Sequence, residues 1–126
     1  MYGSGYCDVD ASTYGDLFVV KFDTLGNLIW KSRYGLTTRN EGSGTLQLIG
    51  NDSLFVSGPS NEGSNGASGL AVLLDTAGTE LWRRYIDIPG KENTFAGGFI
   101  YKDGGLLCQV LVIPRQMEKV ICVLQN

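Results

Sequence analysis

The chain has 126 residues, 43% of them apolar, with ten Lys and Arg against thirteen Asp and Glu and a formal charge of −3. That composition supports one packed core and argues against disorder, and the acidic balance offers no basic field for a nucleic-acid backbone. Histidine is absent, which removes Ser-His and Cys-His catalysis and the commonest transition-metal ligand.

The elements follow in chain order as short strands separated by glycine-rich turns. Gly3 to Asp8 reads as the end of a unit that precedes the first complete one. Leu17 to Phe22 is an apolar run, and Asp23-Thr24-Leu25-Gly26-Asn27 is a turn in which Gly26 suits a positive φ and Asp23 bonds the backbone ahead of it. Leu28 to Tyr34 alternates, with Trp30, Ser32 and Tyr34 on one face and Ile29, Lys31 and Arg33 on the other. A polar stretch from Gly35 to Gly44 leads to a third strand (Thr45 to Ile49), a turn at Asn51-Asp52 and a fourth strand (Leu54 to Ser57). The segment Ser57 to Gly69 reads from its composition as a mobile linker.

The plan then repeats. Asp23, Thr24, Gly26 and Trp30 recur as Asp75, Thr76, Gly78 and Trp82, each displaced by 52 positions, within the matching stretches FVVKFDTLGNLIWKSRY and LAVLLDTAGTELWRRY. Phe95 to Tyr101, a turn at Lys102 to Gly105, and Leu106 to Leu111 stand as third and fourth strands, and Val120 to Leu124 opens a third copy. A fixed period near 50 residues marks a repeat architecture. Four strands per unit, with first strands apolar on both sides, suit the blades of a β-propeller, in which inner strands are covered on two faces. The expected fold is all-β, divided as a blade end (1–14), blade A (15–64), blade B (65–115) and the first strand of a further blade (116–126).

Asp23 to Trp30, Asp75 to Trp82 and Asn51 to Gly58 together resemble the repeats of bacterial seven-bladed β-propellers. The resemblance implies a secreted or cell-surface setting for a fold that serves many roles. Two positions depart from the pattern: Tyr85-Ile86 replaces the Tyr34-Gly35 pair, and the second unit's last strand ends in Val110 rather than glycine.

Propellers close with four to eight blades, so two units and two partial ones need further blades, either from a longer chain or from a homo-oligomer. The expected role is that of a scaffold or protein-interaction surface without catalysis, cofactor or metal; the alternatives are a glycan-binding module formed by oligomerised blades and a fragment of a propeller enzyme. For glycan binding the candidates are Trp30, Trp82, Tyr34 and Tyr85, but the periodic recurrence of the tryptophans is more simply explained by packing between blades, with the indole N–H on a backbone acceptor. Asp8, Asp10 and Asp16 have the D-x-D look of a hard-cation loop but lack an EF-hand's glycine and bidentate glutamate, and a solvated loop is the expectation. Arg83-Arg84 offers an anion clamp, but a solvated strand face is the expectation, and Asn51-Asp52-Ser53 fits a glycosylation acceptor. Gly90-Lys91-Glu92 does not complete a phosphate loop. Cys7, Cys108 and Cys122 lack metal-type spacing and permit at most one internal disulfide, with buried free thiols expected. No apolar run approaches the roughly 18 residues of a membrane-spanning helix.

Overall fold

A computed structural model describes residues 1–8, 15–36, 38–61, 67–86, 93–100 and 106–112. Ten strands and no helix occur among the described residues. The strands are β1 (Tyr2–Asp8), β2 (Gly15–Phe22), β3 (Leu28–Tyr34), β4 (Asn40–Glu41), β5 (Thr45–Ile49), β6 (Ser53–Asn61), β7 (Ala67–Asp75), β8 (Glu80–Ile86), β9 (Asn93–Ile100) and β10 (Leu106–Val112). The fold is all-β, as the strand and turn pattern predicts.

Three antiparallel sheets form: β1-β2-β3, then β6-β7-β8 with β4 and β5 along the free edge of β6, then β9-β10. The first sheet stacks on the second through one buried cluster, in which Leu17, Val19 and Tyr34 meet Leu54, Val56, Leu70, Val72 and Leu74. On the opposite side of the second sheet, Phe55 is fully buried and its ring lies 6.3 Å from that of Trp82. β9 lies beside β5, β6 and β7 without pairing with them. β6 and β7 are therefore covered on both faces, and consecutive residues Leu54 to Ser57 and Leu70 to Val72 are all buried. That is why these runs are continuously apolar rather than alternating.

Outer strand β3 behaves differently. Trp30 and Ser32 are half-buried and Tyr34 is buried, while Ile29, Lys31 and Arg33 are exposed, the two faces that alternation predicts. Both β2–β3 and β7–β8 carry a register shift at the same point, after Lys21 and after Leu73. Both turns are built alike. Asp23 Oδ1 accepts from the Leu25 and Asn27 amides at 2.8 Å, and Asp75 Oδ1 accepts from those of Ala77 and Thr79 at 2.8 Å. Gly26 and Gly78 have φ of 88° and 87°, the left-handed conformation that favours glycine.

The pairing divides the chain differently from the repeat. A boundary between blades at 64/65 would separate β6 from β7, yet these strands pair over nine positions, from Ser53↔Asp75 to Asn61↔Ala67. The hydrogen-bonded unit joins the last strands of one copy to the first strands of the next, so the second sheet runs from β4 to β8. The sequence period is unaffected by where it is cut, and only pairing fixes the cut. β1 obeys the same rule: it pairs with β2 as β6 pairs with β7, with Gly5 opposite Phe18 as Gly58 is opposite Leu70.

The expected linker from Ser57 to Gly69 is also corrected, because Ser57–Asn61 and Ala67–Gly69 belong to the β6–β7 hairpin. At Gly58 the small residue answers to crowding. A Cβ at Gly58 would stand 2.0 Å from the Gly42 carbonyl oxygen. The Gly42 and Gly44 amides donate to the carbonyls of Pro59 and Ser57, each at 2.8 Å. In an antiparallel strand the N and C=O of one residue point the same way, so Pro59's missing N–H falls on the irregular 42–44 side and leaves the ladder to β7 intact.

Candidate interaction surface

The contact between the first two sheets is the most elaborate polar arrangement among the described residues. The Asp75–Thr79 turn projects its carbonyls toward β2 and β3. Thr76 O accepts from the Trp30 indole Nε1 at 3.2 Å and from Lys21 Nζ at 3.2 Å, and Gly78 O accepts from Tyr34 Oη at 2.5 Å. The indole also lies over the turn itself, since a Cβ at Gly78 would stand 3.1 Å from the ring. On its other side the Trp30 ring is tilted against Tyr2, with centroids 6.2 Å apart. The periodic tryptophan at position 30 thus joins neighbouring sheets, with its N–H on a backbone acceptor.

A second polar group fills the other end of the same interface. Glu41 is fully buried; its Oε1 accepts from Tyr85 Oη at 3.0 Å and from the Leu36 amide at 3.3 Å. Burial pushes its carboxyl above the usual range, and Asp16 adds to the effect. Arg83 donates to the Gly35 carbonyl at 3.0 Å and pairs with Glu80 at 2.6 Å, and the Arg39 guanidinium lies 4.1 Å from the centre of the Tyr85 ring. Nothing in the sequence distinguishes Glu41 from the solvated acids, because its burial depends on the long-range meeting of β4 with β6 and β8.

The four aromatic candidates are therefore divided rather than gathered. Trp30 and Tyr34 point from the first sheet toward the second, Tyr85 points back from the second toward the first, and Trp82 lies with Phe55 on the far side. The two tyrosines are not equivalent. Tyr34 pairs opposite Leu17 and Tyr85 opposite Leu70, whereas the residue opposite Gly69, where the period places the counterpart of Tyr34, is Ile86. One residue fewer between Trp82 and Tyr85 reverses the face of the tyrosine.

Asp16 is brought near Glu41 rather than into a cation loop: a Cβ at Gly35 would stand 2.4 Å from Asp16 Oδ1 and 2.9 Å from Glu41 Oε2. Asp10 lies outside the described residues. Among the described residues no group of three acidic, histidine or cysteine side chains could hold a metal ion. Arg83 bonds within the sheet interface, while Arg84 is exposed and donates to the Arg83 carbonyl at 3.2 Å. Asn51 and Asp52 are exposed at the β5–β6 turn. Cys7 is a free thiol, half-buried rather than buried. The expectations placed on Lys102 to Gly105, Val120 to Leu124, Cys122 and Gly90 to Glu92 lie outside the described residues. No described helix is long and apolar enough to cross a membrane.

Among the described residues nothing covers the outer face of the first sheet. Phe18 and Val20 floor an open depression of about 560 Å³, bordered by Cys7, Lys31, Ser32 and Arg33. Neither a protein-family model nor a curated protein matches the chain.

Proposed function

We propose that the chain is a non-catalytic segment of a β-propeller that serves as a scaffold or protein-interaction surface. The observation that carries this reading is the double burial of β6 and β7 between a sheet on one side and β9 on the other. Sheets stacked in this way leave an end face, and contiguous apolar faces on soluble proteins mark interaction sites. The repeat resemblance supports the same assignment, and a propeller's role resides in its surfaces rather than in its fold.

The half-buried Phe18 and Val20 make the first sheet's outer face the exposed end. Light scattering on the purified chain is expected to show a mass that rises with concentration. Val20→Asp, which places a charge in the floor of that face, is expected to lower the mass to that of one chain while leaving the melting temperature nearly unchanged. A wild-type mass equal to one chain at every concentration contradicts the reading.

A further inference from the structure

Glu41 is the one fully buried carboxyl among the described residues, and half of it is without a partner. Oε1 accepts from Tyr85 Oη and from the Leu36 amide, whereas no described donor reaches Oε2. Burying an unpaired carboxylate oxygen is costly. That oxygen is turned toward Asp16 of β2. The two carboxyls converge beside Gly35, where an added Cβ would stand 2.9 Å from Glu41 Oε2 and closer still to Asp16 Oδ1. As two carboxylates they repel, and neither supplies the hydrogen that the other lacks. One proton removes both difficulties, because a protonated Oε2 becomes a donor with Asp16 Oδ1 as its acceptor.

The groups packed around the pair place that proton on Glu41. Arg33 of β3 lies 4.0 Å from the other aspartate oxygen, Oδ2, and favours negative charge there. On the β8 side Arg83 is the cation that could answer a Glu41 carboxylate, but its guanidinium is held by both oxygens of Glu80, at 2.6 and 3.1 Å, and by the Gly35 carbonyl. Arg39 lies over the Tyr85 ring, and burial keeps the Tyr85 phenol in its neutral form. β6 presents the uncharged Ser60 opposite Glu41.

We infer that Asp16 and Glu41 hold one proton between them across the contact of the first two sheets, and that this proton latches β4 to β2. The element that gives way without it is β4. It has two residues, paired to β6 at Asn40↔Asn61 and Glu41↔Ser60, and it is tied to β2 through Asn40 Oδ1, which accepts from the buried Gly15 amide at 2.8 Å. Loss of the proton leaves a buried carboxylate facing a second one, and lifting of β4 returns it to water. The Trp30–Thr76 and Tyr34–Gly78 bonds at the other end of the contact do not involve the pair and stay closed.

Burial first, and Asp16 after it, raise the Glu41 carboxyl above its ordinary value of 4.5. Its contribution to stability is therefore complete below that value and is lost as pH rises through the folded one. The chain has no histidine, so between about pH 5.5 and 7.5 no side chain titrates at its ordinary value.

The test follows the Glu41 carboxyl carbon of the full chain by NMR from about pH 3 to 8, together with hydrogen exchange of the Gly15 amide relative to that of Ala77, which is bonded to Asp75 at the other end of the contact. The Glu41 midpoint is expected above 4.5, and Asp16→Asn, which removes the facing charge and offers Oε2 an amide donor, is expected to lower it. Gly15 is expected to lose about tenfold in relative protection as pH passes the midpoint, and to lose none in Glu41→Gln, whose amide can donate to Asp16 at every pH. A midpoint at the ordinary value, or one that Asp16→Asn leaves unmoved, overturns the shared proton, and these two readings decide it even where Glu41→Gln does not fold. Relative Gly15 protection that stays constant across a raised midpoint overturns the latch.

Discussion

Gly58→Ala is expected to destabilise the chain by about 3 kcal/mol or more, because the new methyl has no soft neighbour to displace. The Cβ would meet the Gly42 carbonyl oxygen at 2.0 Å, the Gly42 carbonyl carbon at 2.7 Å and the Gly44 amide at 2.9 Å, all of them backbone. Relief requires the 42–44 segment to lift from β6. That movement breaks the hydrogen bonds from Gly42 to Pro59 and from Gly44 to Ser57 and draws β4, with the buried Glu41, away from Tyr85. Thermal unfolding should record a fall in melting temperature of roughly 10 °C or more. Gly3→Ala is the control, since its Cβ meets only the Val20 side chain at 3.4 Å, an ordinary contact, and its melting temperature should stay near that of the wild type.

Phe55→Ala carries a comparable cost for a different reason. Phe55 is the largest of the fully buried side chains among the described residues, and its ring packs against Trp82 on the far side of the second sheet. Removal leaves a void on a face where β6 cannot shift, because β5 and β7 hold it on either side. The expected loss is about 3–5 kcal/mol in urea unfolding, against a typical total of about 5–15 kcal/mol for a domain. Phe55→Leu, which keeps most of the volume, is expected to lose less than half of that. A Phe55→Ala chain as stable as the wild type would mean that this face of the sheet is not covered.

Much of this architecture is legible in local sequence. The Asp-Thr-x-Gly turns are self-contained devices of five residues, and they form with the aspartate bonds and glycine conformation that their composition dictates. The alternation in β3 sorts Trp30 and Tyr34 from Lys31 and Arg33 because a strand's side chains must alternate. The features that escape local reading all depend on distant partners. Glycine, serine and proline between 57 and 69 look like a tether until Gly42 is seen to lie against Gly58. A glutamate at position 41 looks solvated until Tyr85, 44 positions away, closes over it. Tyr85 looks like the counterpart of Tyr34 until the register shows that the shorter spacing from Trp82 turns it to the opposite face. The cut between units is set by the β6–β7 pairing, which a period alone does not contain.

The candidate surface follows the same division. Its tryptophans are visible as periodic residues, and their recurrence points to packing between units rather than to a ligand. The acceptor that Trp30 uses is a backbone carbonyl of a turn 46 positions further on, and carbonyls have no signature in a sequence.

The first two sheets stack face to face, with Trp30 of one seated on the Asp75–Thr79 turn of the next. Proton–proton NOEs from the Trp30 indole in the intact chain test this stacking most directly. Cross-peaks are expected from the ring to the Gly78 α-protons, and from the indole N–H to Thr76 and Ala77. Cross-peaks from that ring to Tyr2 and its own sheet only, with none to residues 76–78, would contradict it.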